Sequence, residues 1–292
     1  MLSTPINNVS VVLTLHMRHL SLWSKYVEAL APKKPKNTNR HKFNLKRSFK
    51  MTSNAFKAFK AFKAFKAFKA CVDILASPKE GFDTVKGKKH WAWSPFSLIT
   101  ACSAGMFLYY FSVVDFDWLV DQILSQGDLS GAELEASAEF MSQTRMTWST
   151  TLGGVIGLIV ANAIMAVYFN LVTNVLQPSE VSFTGWYGFS WWISMPLVVS
   201  SLLGILVILF SSSGLVSMED LAPAGLGFLV DKSHSWFSLW NSITVFSLWS
   251  VYLCTVGLKS WLAIDANRAL YVAVAPSVII YGIWSVYIIM QT

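Results

Sequence analysis

The sequence predicts an all-α fold: a polytopic helical membrane protein with five transmembrane helices and a basic cytoplasmic amino-terminal segment. Three observations carry that prediction. Apolar runs occupy 97–114, 148–175, 189–210, 236–258 and 270–290 of the 292 residues, each close to the ~20 apolar residues that cross a ~30 Å hydrocarbon layer. None of these runs contains Asp, Glu, Lys or Arg. Basic residues gather ahead of them: residues 1–96 hold 19 of the 23 Lys and Arg and 4 of the 16 Asp and Glu, leaving 4 and 12 for residues 97–292. With no water at bilayer depth, each run must close its own backbone hydrogen bonds, which makes it a helix.

Taken in order, residues 1–71 form a basic tail. The apolar run from Val9 to Leu15 is too short to span and lacks the basic start and cleavage site of a secretory signal. Residues 33–50 are polar, basic and interrupted by proline, which predicts disorder. Met51 opens a fresh segment and is an alternative translation start to Met1. From Ala55 to Lys69 the triplet Ala-Phe-Lys recurs five times. At 100° per residue a three-residue period slips by about 60° per copy, so the five phenylalanines wind round a helix and line no single face.

Between this tail and the first span, Ser77-Pro78 with Glu80 is a helix start, and a pre-membrane helix is expected over 77–90. It carries Lys86, Lys88 and Lys89, and is followed by Trp91 and Trp93. Lysines beside a span favour anionic lipid headgroups by roughly 1 kcal/mol each. Tryptophans belong at the membrane interface. The helix is therefore expected to lie flat in the headgroup layer. A basic segment could also meet nucleic acid, but no nucleic-acid motif accompanies it, so the expected partners are the bilayer and its anionic headgroups.

Charge also orders the connectors. The connector 115–145 has seven acids and one base, and 211–235 has three acids and one base, so both are expected outside. Lys259 and Arg268 bracket the last connector and belong inside with the amino terminus, leaving Thr292 outside. Ser130 and Glu133 have capping-box spacing for an acidic helix running through Met141.

Within the spans the chemistry is sparse. Gly153 and Gly157 form a GxxxG, which predicts close helix packing within the chain or against a second copy, the internal partner being preferred. Asn170 and Asn174 share a face of the second span, with Asn162 about 80° away, and interhelical hydrogen bonding is their expected role. Pro196 and Pro276 should kink the third and fifth spans. Cys71, Cys102 and Cys254 have no paired spacing, and the five histidines are scattered. Neither a phosphate loop, a dinucleotide fingerprint, a zinc-protease pair nor a nucleophile elbow is present. No catalytic residue, metal ligand or cofactor is expected.

The pattern Ile74-Leu75 with Ser77-Pro78-Lys79-Glu80 and Phe82, followed by a lysine-rich turn and a span, resembles the entry of the Yip family, Ypt-interacting-protein-like five-span membrane proteins. The segment from Met218 to Val230, then 243–249, Gly257-Leu258 and Asn267-Arg268-Ala269, is similar to that family's last outer loop and final two spans. The resemblance covers roughly 72–290 and implies a Yip-like membrane domain over 72–292. The Asp-Leu-Tyr-Gly-Pro motif of Golgi members is missing, and with it the basis for small-GTPase binding. That points to a bacterial branch in the inner (plasma) membrane, with a eukaryotic endomembrane as the alternative. The implied role is non-catalytic, through membrane organisation or through binding other membrane proteins or a second copy. A small solute transporter or channel component is the competing reading.

Overall fold

A computed structural model describes residues 65–125, 131–176, 180–211 and 214–291. The expected disorder of 33–50, the start at Met51, the repeat phenylalanines Phe56, Phe59 and Phe62, and Ser130 all lie outside the described residues. Those described are mostly helical, with no strand among them.

The chain enters as α1 (65–76) and α2 (Pro78–Val85). In the last repeats, Ala67 and Ala70 turn inward while Phe65 and Phe68 stay exposed, so the small residue of the triplet packs and the aromatic one does not. Gly81 lets the two helices cross tightly: a Cβ there would stand 2.9 Å from the Ile74 amide nitrogen. Pro78 occupies the first turn as expected, but α2 ends at Val85, and Gly87 adopts φ +75. A 3-10 turn (Lys89–Ala92) then leads into α3 (Trp93–Val113). The predicted flat helix over 77–90 is thus corrected in length and in surroundings. Phe82 is 0% exposed and meets protein rings, so the apolar face of the helix packs on the bundle.

On the far side, α4 (Phe116–Ser125) and α5 (Ala132–Phe140) fill the acidic connector. Only the second was expected. The second span is α6 (Gln143–Leu176). The third is two helices, α7 (Phe183–Ile193) and α8 (Pro196–Phe210). Pro196 does more than kink: without an N–H it cannot continue a helix, and it opens a new one at the first helical position. The span starts at Phe183 instead of residue 189.

A further correction falls on the fourth span, expected over 236–258. A short α9 (Phe237–Ser242) precedes α10 (Val245–Leu262), which alone is long enough to cross. The break is locally encoded. Thr244 and Ser247 form a reciprocal capping box, with Ser247 N donating to Thr244 Oγ1 at 3.0 Å and Thr244 N donating to Ser247 Oγ at 3.1 Å. The last span is α11 (Ala266–Gln291), which carries Pro276 without interruption.

Five helical stretches in the described residues are long and apolar enough to cross a membrane: Lys89–Val113, Gln143–Val175, Phe183–Phe210, Val245–Leu262 and Ala266–Gln291. Helix α3 packs on α6 and α8, α6 on α7, and α10 on α2, α7, α8 and α11. Alternate crossing gives the bundle two ends, a basic face with α2, Lys259 and Arg268, and an acidic face with α4 and α5.

Candidate functional site

At the basic face the ends of three spans and the entry helix α2 meet around one aromatic ring. Phe189 of α7 has Phe82, Phe169, Trp186 and Trp261 as neighbours, with centroid separations of 5.5, 5.2, 5.5 and 5.0 Å. Rings from α2, α6, α7 and α10 therefore share one core. Aromatic pairs at this spacing contribute about 0.5–1.5 kcal/mol each beyond their buried area. The rings are held close by Gly257 of α10, where a Cβ would lie 2.5 Å from Phe189 Cε2 and 2.8 Å from Phe82 Cε1.

Polar ties join the loops above this core. Trp261 Nε1 donates to the Phe82 carbonyl at 3.2 Å, Ser260 Oγ donates to Asp83, and Lys86 Nζ donates to the Ser260 carbonyl at 2.9 Å. Lys89 Nζ donates to Ser182 Oγ at 2.7 Å, and Lys88 Nζ stands 4.3 Å from the Trp91 ring centroid. Between these groups lies a cavity of about 190 Å³, walled by Lys86, Lys88, Lys89, Ser182, Trp192 and Trp261. Trp91 is half-buried beside it and Trp93 is 67% exposed. The three lysines expected to meet lipid are exposed, but Lys86 also bonds the last turn of α10 and Lys89 the residue that caps α7.

The other sequence-selected residues are placed differently. Gly153 and Gly157 are exposed, and a Cβ at either would meet nothing within 4 Å. The internal seam expected of them is not formed. Gly154 is the one that faces a neighbour, since a Cβ there would lie 3.5 Å from Phe107 Cε2. Helix α6 is apolar all round, so its sequence does not say which glycines face inward. The same correction applies to the amides. Asn174 is exposed and Asn170 half-buried, whereas Asn162 is 4% exposed, donating to the Leu158 carbonyl at 2.9 Å and accepting from Ser194 Oγ at 3.3 Å. Asn162 is the amide that links α6 to α7.

A second cavity, about 330 Å³, opens between α3, α6 and α8 toward the acidic face and is lined by the hydroxyls of Ser103, Thr151, Ser200 and Ser201. Ser103 and Ser201 share a hydrogen bond at 3.3 Å, while Thr151 Oγ1 is buried without a partner. Sequence reading missed Ser182, Ser260, Trp261 and Thr151. The Ser-Trp pair at 260–261 beside Lys259 was the one available signal, an interfacial tryptophan at a span end.

Outside the spans, burial pushes the Cys71 thiol up to about 12, which leaves it a thiol at neutral pH. Among the described residues, no three His, Cys, Asp or Glu side chains gather as a metal site would require.

A family model described as Yip1 domain matches residues 72–287. No curated protein and no solved structure matches the chain.

Proposed function

The chain belongs to the Yip1 domain family, and from that premise we propose that it is a non-catalytic multi-pass membrane protein of the Yip type, acting through membrane organisation or partner binding. One observation supports this reading above others: the spans are joined chiefly by packed rings, with charged side chains confined to their ends. Proton relays and ion pathways place ionisable groups at depth. The proposed orientation keeps the basic face in the cytoplasm and the acidic face outside, following the positive-inside bias, and the proposed location is a bacterial inner membrane. Cysteine substitutions at Lys79 and Ala132 test the orientation in intact cells. An impermeant thiol reagent should label the Ala132→Cys protein and spare the Lys79→Cys protein, and the opposite pattern inverts the topology.

The cavity holding Thr151 favours a second reading, a small solute transporter or channel component. A buried hydroxyl without a partner costs about 1–3 kcal/mol, which a water or solute hydroxyl in the cavity would offset. Solute flux in reconstituted vesicles separates the two. Flux abolished by Thr151→Val would replace the first reading with the second, and absence of flux leaves the first in place.

A further inference from the structure

We propose that the cavity at the basic face is a binding site for the phosphate headgroup of an anionic lipid. Three lysines face one acid across its lining, Lys86, Lys88 and Lys89 against Glu180. An ammonium carries three N–H donors. Lys86 spends one on the Ser260 carbonyl and Lys89 one on Ser182 Oγ, so each is anchored with donors to spare. Lys88 rests on the Trp91 ring. Lysine is a point-charge partner for phosphate, needing no fixed fork geometry.

Size and walls agree with that ligand. A cavity of about 190 Å³ has room for a phosphate group. Glycines let the walls of that space pack closely on their neighbours. A Cβ on Gly188 would come 3.1 Å from Ala92 Cβ, and one on Gly185 2.8 Å from Val181 Cγ1. Trp192, Val85 and Trp261 make the rest of the lining apolar. A charged rim over an apolar floor suits an amphiphile better than a free anion.

Depth argues for the lipid source. The cavity sits where α3 and α7 begin and α10 ends, with Trp91 and exposed Trp93 beside it. Tryptophan at span ends marks the headgroup level, so a phosphate there is already in the lipid layer.

This inference deepens the non-catalytic reading by naming lipid as a partner, yet the two fail separately: vesicle flux bears on that reading, lipid retention on this one. The test uses the delipidated full-length protein in detergent, titrated with short-chain phosphatidylglycerol, phosphatidylcholine and inorganic phosphate, with bound ligand read by native mass spectrometry. Phosphatidylglycerol should bind in preference to phosphatidylcholine. The pair Lys88→Gln with Lys89→Gln should weaken it about 30-fold, and Lys88→Gln alone, which touches only a ring, about fivefold. Removing Lys69 and Lys79 instead, the same charge lost away from the cavity, should leave binding as in wild type. Equal losses from the two pairs would reduce the effect to surface charge and overturn the site. Displacement of the lipid by inorganic phosphate at matched concentration would overturn the lipid source. Should the double variant lose helicity, the single variant decides.

Discussion

The two ends of the helix bundle are closed by different means. At the basic face, buried Phe82, Phe169, Trp186 and Phe189 interlock across three helices, and polar ties run over their tops. At the acidic face a smaller core of Met106, Tyr110, Phe111 and Ile208 is finished by hydrogen bonds: Tyr110 Oη donates to the Val216 carbonyl at 2.8 Å, and Gln143 Nε2 donates to the Phe111 carbonyl at 2.6 Å. Capping by Asp220 orders the neighbouring turn, its Oδ2 accepting from Ser217 Oγ at 2.7 Å. Packing of large rings is sensitive to volume, while hydrogen-bonded loops are sensitive to single polar atoms. The basic face should therefore fail by cavity or overpacking, and the acidic face by small, separable losses.

Phe82→Ala should produce the largest effect, about 3–5 kcal/mol, because it empties the site that docks α2 on α7 and α10. Limited proteolysis should then cut between α2 and α3. Resistance equal to wild type would show that the entry helices are held by something other than this ring. Next comes Gly257→Ala, expected to cost about 1–3 kcal/mol by forcing a methyl against Phe189 and Phe82, read as a lowered Tm in detergent. Gly153→Leu is its foil. Open space surrounds Gly153, so stability should stay within about 0.5 kcal/mol of wild type, and a large loss there would mean that a partner covers that face.

On the acidic face, Tyr110→Phe removes one buried donor and should cost about 0.5–1.5 kcal/mol, less than either ring-core variant. A loss matching that of Phe82→Ala would erase the contrast between the ends. The smallest effect belongs to Asp265, whose carboxyl is held below its usual range, chiefly by accepting from the Arg268 backbone N–H. A lowered folded-state pKa gives stability that is present above the ordinary carboxylate value and is lost as pH falls through the lowered one. Asp265→Asn should trim Tm slightly at pH 7, and the difference should close in acid. A gap that widens in acid would reverse the sign and discard this account.

Much of the architecture was legible beforehand because it rests on length and composition. An apolar stretch long enough to span must be helical whatever surrounds it, so the five spans survive in the structure with their ends moved and the third broken at Pro196. Breaks with a local cause were readable in part. Pro196 announced a disturbance, but the capping box of Thr244 and Ser247 went unread inside an apolar run, and the fourth span was drawn too long. The lysines and tryptophans from Lys86 to Trp93 were visible by charge and type alone, and they do line the cavity or stand beside it.

What the sequence by itself determined is the class: helices, their number, their approximate places, and which end of the bundle is basic. Those follow from backbone hydrogen bonding in lipid and from net charge, which need no neighbour. Only the tertiary structure decided which face of each span looks inward. In a helix that is apolar all round no periodicity separates the lipid side from the protein side, so Gly153, Gly157, Asn170 and Asn174 looked as good as Gly154, Asn162 and Gly257 until the neighbouring helices were in place. The same holds for the cavity, because Lys86 and Lys89 follow α2, Ser182 precedes α7 and Ser260 lies near the end of α10, and they share a site only where packing brings those segments together.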